Sequence, residues 1–180
     1  MVDIAVDDES EAIEVAKRYL SFFQGRLCEC DTADQRVLRR IVPENRLRIY
    51  DIRQVIETIA DVGTVLALRK TFGIAMVTSF IRVEGRPVGV VANNPAHIGG
   101  AIDSDAADKG ARFMQLCDAF DIPLVSFVDV PGFLPGTVQE WGGIIRHGAK
   151  MLYAYAEATV PMMTVVTRKA YGGAYLAMSC

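Results

Sequence analysis

No stretch of this 180-residue chain stays apolar for the ~20 residues that a membrane-spanning helix needs. No charged-then-apolar leader opens it, so the sequence reads as a soluble protein. A basic excess is also lacking. The 19 Lys and Arg stand against 22 Asp and Glu, a net charge of −3, which offers no field to draw in nucleic acid or an anionic membrane. Cys28, Cys30, Cys117 and Cys180 show no secreted-framework spacing. Cys28 and Cys30 form at best half a metal site that no second pair completes. Reduced thiols in a reducing compartment are the expectation. Histidine is nearly absent, and His97 and His147 leave little material for a histidine-based mechanism. Internal repeats and low-complexity tracts are missing too.

What is present is a 51% hydrophobic composition, enough to bury a sizeable core as one domain with an appendage. Residues 8–24 predict an amphipathic helix with Ile13, Ala16, Leu20 and Phe23 on one face. Asp8 or Ser10 caps its start and Gly25 ends it. Residues 25–49 are charged and irregular and read as a connector. A second helix starts at Asp51, with Ile52, Val55, Ile56 and Ile59 at helical spacing. Strands over 74–83 and 87–92 follow, joined by the turn "EGRP". After them a helix over about 104–120, the strand "PLVSFVDV", a helix over about 139–158, the strand "MMTVVTRK" and a helix from Gly173 alternate. Near-continuous apolar strands of this kind suit parallel pairing with both faces covered. The expected class is α/β.

Ligands of such sheets sit at the carboxyl ends of the strands. Three loops there are glycine-rich: "NNPAHIGGAIDSD", "PGFLPGTVQEWGG" and "AYGGAYL". They hold little that could act as acid, base or nucleophile. Ser104 has no evident histidine partner and reads as a helix cap. Asp103, Asp105 and Asp108 lack the glycine and distal glutamate of a calcium loop and suit the first turn of a helix. Asp129 is either a satisfied structural carboxylate or part of a site. Tyr153 and Tyr155 face different ways on a helix, and Trp141 suits a core or a ligand stack equally. The backbone remains. The amides of Gly173 and Ala174 open a helix, where they lack intrahelical partners and carry partial positive charge. That suits an oxyanion; plain tight packing of a strand-to-helix turn is the competing reading.

The segments "AIDSDAADKGARF", "CDAFDIPLVSFVDVPGFLPGT", "QEWGGIIRHGAKMLYAYAEATVP" and "VTRKAYGGAYLAM" closely resemble the C-terminal half of the carboxyltransferase subunit of biotin-dependent acyl-CoA carboxylases, the propionyl-CoA carboxylase β type. The resemblance runs from about Pro43 to Ala177. It implies a crotonase-like fold, ββα units wound into a right-handed superhelix, with residues 1–45 as an entering helix and linker and 46–180 as the carboxyltransferase domain. It also implies a partial chain, because Met1 stands where the family continues into its N-half and Cys180 falls about two turns into a helix.

In that family carboxybiotin, borne on a biotin carboxyl carrier protein and charged by a biotin carboxylase, yields its carboxyl group to the α-carbon of an acyl-CoA. Cofactor and substrate supply base and nucleophile, and the protein orients them and stabilises oxyanions. The resemblance assigns the oxyanion hole on the biotin side to the amides of Gly173 and Ala174. It assigns the lining of that side to Gly99, Gly100, Pro131, Gly132 and Phe133, with no metal. Subunits of the family form a hexamer whose site lies between two halves. Leu176 stands where propionyl-preferring members commonly carry aspartate, so the acyl chain is open. Methylmalonyl-CoA or glutaconyl-CoA decarboxylase, transcarboxylase or a catalytically silent fragment stay as alternatives. The implied location is the bacterial cytoplasm, or the mitochondrial matrix in a eukaryote.

Overall fold

The structure is a computed structural model that describes residues 2–45 and 47–179; the expectations for Met1 and for the Cys180 thiol lie outside the described residues. Its centre is a five-stranded sheet in the order β1-β2-β3-β4-β5. The strands are β1 (Leu66–Leu68), β2 (Met76–Val83), β3 (Arg86–Asn93), β4 (Leu124–Val130) and β5 (Met162–Ala170). The β1–β2 and β2–β3 pairs are antiparallel and the β3–β4 and β4–β5 pairs parallel. Val83 pairs with Arg86 across the two-residue turn Glu84–Gly85, as the sequence leads one to expect. β1 was not foreseen, because three residues are too few to show a period.

Alternation of side chains divides the core into two layers. Met76, Phe80, Val91, Leu124 and Val128 point to one face, under helices α4 (Ser104–Ala119), α6 (Ile144–Glu157) and α7 (Gly172–Ser179). Val77, Ile81, Val90, Ala92 and Phe127 point to the other, under α3 (Ile52–Ile59). The connector contributes a short 3₁₀ turn at Gln35–Val37 and the single-turn helix α2 (Leu38–Ile41).

Three expectations need correction. Helix α1 (Glu9–Ser21) forms, with the Asp8 carboxylate accepting from the Glu11 amide at 2.8 Å, but it turns a different face inward. Ile13 and Leu20 are each 56% exposed, whereas Phe22 is buried and packs on Phe80. The buried guanidinium of Arg82 sets this rotation. It donates to the carbonyls of Ser21 at 2.7 Å and Gly25 at 2.9 Å and lies 5.2 Å from the Phe22 ring centroid. Second, the helix expected over 139–158 is two helices, α5 (Thr137–Trp141) and α6. Gly143 breaks it by taking φ 79°, a region costly for other residues. Third, β5 is not covered on both faces, since Met162 to Val166 are exposed on this chain.

Candidate functional site

The three glycine-rich loops converge at the carboxyl ends of β3, β4 and β5. The loop after β3 reaches Ile102, whose amide donates to the Gly132 carbonyl at 3.1 Å, and the Leu134 amide returns to the Ile102 carbonyl at 2.8 Å. That bridge fastens the first loop to the second. The second holds the third, because the Tyr171 amide donates to the Val130 carbonyl at 3.2 Å. The first and third meet through Lys169, whose Nζ donates to the Gly99 carbonyl at 2.7 Å. Close approach requires small residues here. A Cβ on Gly100 would stand 2.3 Å from the Asp129 carbonyl oxygen.

At the head of α7, Gly172 takes φ 58°, which lets strand β5 turn straight into the helix. A Cβ at Gly172 or Gly173 would meet no heavy atom within 4 Å. Within this chain, therefore, packing does not demand the second glycine. The amides that follow lie in the first helical turn, where the helix itself supplies no acceptor.

Gly173 also lines an apolar groove of about 300 Å³ with Phe133, Ile144, Ile145, Gly148 and Leu152. Phe133 packs closely on α6 because residue 148 has no side chain; a Cβ there would sit 2.8 Å from the ring. The structure thus strings the three loops along one ridge at the strand ends, where Gly99 and Pro131 are exposed, Gly132 and Phe133 are half-buried and Gly173 lines the groove, whereas Gly100 and Ala174 are buried. Leu176 lies on α7 and is 56% exposed. A larger cavity, about 500 Å³, lies beneath α1 between Ile4, Tyr19, Lys109 and Phe113 and shares no lining residue with this ridge.

Asp129 is a satisfied carboxylate, 1% exposed. Its Oδ2 accepts from Arg168 Nε at 3.0 Å, and its Oδ1 accepts from the Lys169 amide at 3.2 Å and lies 3.5 Å from Lys169 Nζ. Arg168 continues to the Arg48 carbonyl at 2.7 Å and stacks over Tyr50. Burial pushes the Tyr50 phenol up to about 12, so it stays protonated against Thr167 Oγ1 at 2.8 Å. Neither Lys169 nor Arg168 was singled out from the sequence. A cation pair two residues before a glycine turn is the signal that could have found them.

The remaining side chains divide plainly. Ser104 is not the cap; Asp103 is, accepting from the Ala106 amide at 2.7 Å, and the Ser104 hydroxyl is buried without a described partner. Asp108 sits a turn further on and binds His147 Nδ1 at 2.8 Å and Lys150 Nζ at 2.7 Å. Burial opposes its charge, but those two contacts outweigh it and hold the carboxyl below the usual range. His147 is thereby committed to joining α4 to α6. Tyr155 points inward to Ser126 and the Met178 carbonyl while Tyr153 is exposed. Trp141 is 92% exposed and belongs to no core. Among the described residues no three His, Cys, Asp or Glu side chains gather as metal ligands, and no helix is long and apolar enough to cross a membrane.

The mixed five-stranded sheet with its helices takes the fold of the crotonase-like carboxyltransferases. The chain belongs to the carboxyl transferase domain family, whose model matches residues 1–180. It is 50% identical to the methylmalonyl-CoA carboxyltransferase 12S subunit of Propionibacterium freudenreichii subsp. shermanii, over 98% of this chain and 35% of that protein. Identity to the propionyl-CoA carboxylase beta chain of Roseobacter denitrificans is 47%, over 99% and 37% respectively. The methylmalonyl-CoA decarboxylase subunit alpha of Veillonella parvula is 48% identical, over 97% and 36%. The crystal structure of the transcarboxylase 12S hexamer with hydrolysed methylmalonyl-coenzyme A superposes with a TM-score of 0.92 at 49% identity, covering 98% of this chain and 36% of that one. The chain spans about a third of the length of these relatives.

Proposed function

We propose that this chain is the biotin-facing part of the carboxyltransferase component of an acyl-CoA carboxylase, acting in transfer of a carboxyl group from carboxybiotin to the α-carbon of a short-chain acyl-CoA such as propionyl-CoA. The observation that carries the proposal is the ridge: the helix start at Gly173 lines an apolar groove beside Phe133, and the amide of the buried Ala174 follows one residue further into the first turn. A fused, largely apolar ring bearing one ureido carbonyl fits those residues. Apolar walls from Phe133, Ile144 and Leu152 suit the rings, and the missing Cβ at Gly173 leaves the carbonyl room to approach the amides. Bound there, the group supplies the transferable carboxylate.

The chain's own part is positioning and charge stabilisation. The Gly173 and Ala174 amides face developing negative charge at a helix start. Gly99, Gly100, Pro131 and Gly132 hold the backbone of the biotin side close to them, and Leu176 bears on the acyl chain. The relatives carry the names of a carboxyltransferase, a carboxylase and a decarboxylase at 50, 47 and 48% identity. What they share is carboxyl exchange on a coenzyme A thioester, and that shared step is the centre of the proposal. Acyl-CoA, a biotin carboxyl carrier protein and a biotin carboxylase are the proposed partners, in a hexamer like that of the 12S relative, in a cytoplasm or mitochondrial matrix.

The test is Ala174→Pro in the assembled carboxyltransferase carrying this chain. Proline is accepted in a first helical turn and deletes one donor without adding charge. We expect kcat for carboxyl transfer to fall ~100-fold or more, with the acyl-CoA KM near wild type. Gly173→Ala is the gentler control: it keeps the N–H, and its methyl meets no heavy atom of this chain within 4 Å but takes up room beside the ligand, so its loss should be the smaller one. A folded proline variant with near-normal kcat would overturn the oxyanion reading and leave the glycines as turn formers.

A further inference from the structure

The pairing of β4 with β5 is interrupted opposite Asp129. Val128 pairs with Val166 and Val130 with Ala170, so Thr167, Arg168 and Lys169 all stand against one residue. Bulges of this kind re-aim side chains and recur beside active sites. Here the bulge sets two cations against one buried carboxylate, and the two cations then part. Arg168 turns away from the ridge, to the Arg48 carbonyl and the Tyr50 ring. Lys169 turns to the Gly99 carbonyl.

The turn that Lys169 reaches is strained. Ile98, Gly99 and Gly100 take φ of 43°, 66° and 86° in succession. A left-handed conformation is costly for a β-branched residue such as Ile98, and such backbone persists only where its surroundings fix it. Four contacts fix this one: the Gly100 amide to the His97 carbonyl at 3.0 Å, the Ala101 amide to the Ile98 carbonyl at 3.2 Å, the seat of Gly100 on the Asp129 carbonyl, and the Lys169 ammonium. Of these, only Lys169 links the turn to the strand that feeds α7.

We propose that Lys169, held by Asp129, is a positioning residue of the transfer site. It fastens the 98–100 turn to the end of β5 and so keeps the first glycine loop in register with the amides of Gly173 and Ala174. The inference rests on the biotin-facing reading of the ridge. The buried carboxylate of Asp129 orients the half-buried ammonium from below, and Arg168 supplies the second positive charge that keeps the carboxylate neutralised. The cluster of two cations and one carboxylate leaves one positive charge in excess beside a site that handles anions.

The experiment is Lys169→Met in the assembled enzyme, with carboxyl transfer from methylmalonyl-CoA to free biotin as the assay. Lys169 is on an edge strand and its side chain is about a quarter exposed, so its removal leaves the fold standing. We expect the KM for free biotin to rise about 10-fold or more while the KM for methylmalonyl-CoA stays at wild type. Lys169→Arg, which retains a donor for both partners, restores most of the loss. Hydrogen exchange at the 99–101 amides accelerates in Lys169→Met and stays unchanged in the β2–β3 hairpin. Asp129→Asn shows the same selective rise. An unchanged biotin KM, or equal loss for both substrates with no rescue by arginine, would overturn the inference. If Ala174→Pro abolishes transfer while Lys169→Met is silent, the inference alone fails. If neither affects transfer, the reading of the ridge fails as well.

Discussion

Strands β4 and β5 run parallel, side by side, with similar apolar content, and the chain treats them in opposite ways. Leu124, Phe127, Val128 and Val130 of β4 are all at most 3% exposed, whereas Met163 and Val166 of β5 are 63% and 48% exposed. The difference is one of position. β4 is enclosed by β3, β5 and α7, while β5 is the last strand of the sheet. Apolar edges and patches of that kind mark surfaces that work against another body, and it is from this edge that the Gly172–Gly173–Ala174 turn springs. One side of the molecule is a finished scaffold. The other carries the backbone donors.

The sharpest way to break that contrast is a matched pair of truncations. Leu124→Ala removes packing from a closed site and is expected to cost about 2–5 kcal/mol in urea unfolding. Val165→Ala on β5 should cost less than about 1 kcal/mol, since that side chain is already 37% exposed. Equal costs would mean that the edge is buried in solution by something the chain supplies itself.

Next in size is a pH effect confined to the closed side. Lys109 is 3% exposed and donates to the carbonyls of Arg69 at 2.8 Å and Phe72 at 2.9 Å. Burial lowers its pKa from the ordinary 10.5 to about 8, with Arg53 and Arg69 adding to the shift. Over that interval the unfolded chain binds the proton and the folded chain releases it. Stability therefore rises with pH between about 8 and 10.5, by up to ~3 kcal/mol from this group. The buried Cys117 thiol, which burial pushes up, opposes this rise above about pH 9, so the quantity to read is the slope that Lys109→Met removes from the wild-type profile. A slope unchanged by Lys109→Met would mean that the backbone carbonyls keep the ammonium charged.

The same contrast governs how much could be read beforehand. Helices α3, α4 and α6 and strands β2 to β4 announce themselves, because their apolar period and glycine punctuation are local. The glycine-rich loops were visible for the same reason. Which strand lies at the edge was not, because that depends on sheet order and β4 and β5 look alike as strings. The face that α1 buries was set by Arg82, some 60 residues downstream in sequence. The role of Lys169 does not show in the sequence because the carbonyl it holds, Gly99, is 70 residues away. The break at Gly142–Gly143 shows in the sequence only as a glycine pair, since the apolar spacing on either side continues in phase. Single residues and turns could be picked out from the sequence; the bonds that join three loops into one ridge could not.

The smallest expected effect separates scaffold from site at one position. Leu176 lies on α7 with its side chain 56% exposed, in a helix whose buried residues are Ala174, Ala177 and Met178. Replacing it with aspartate removes little packing and exchanges a good helix former for a poorer one, a cost of about 0.5 kcal/mol. Unfolding midpoints of wild type and Leu176→Asp should therefore nearly coincide. In the assembled enzyme the same substitution should move the ratio of kcat/KM between acyl-CoAs that differ by one methylene, a contact worth ~1–3 kcal/mol. The two readouts divide the possibilities. A large loss of stability would place Leu176 with the closed side of the molecule, and an unmoved ratio would remove it from the acyl pocket. Near-neutral folding with altered preference is the outcome that a residue of the open, working edge must give.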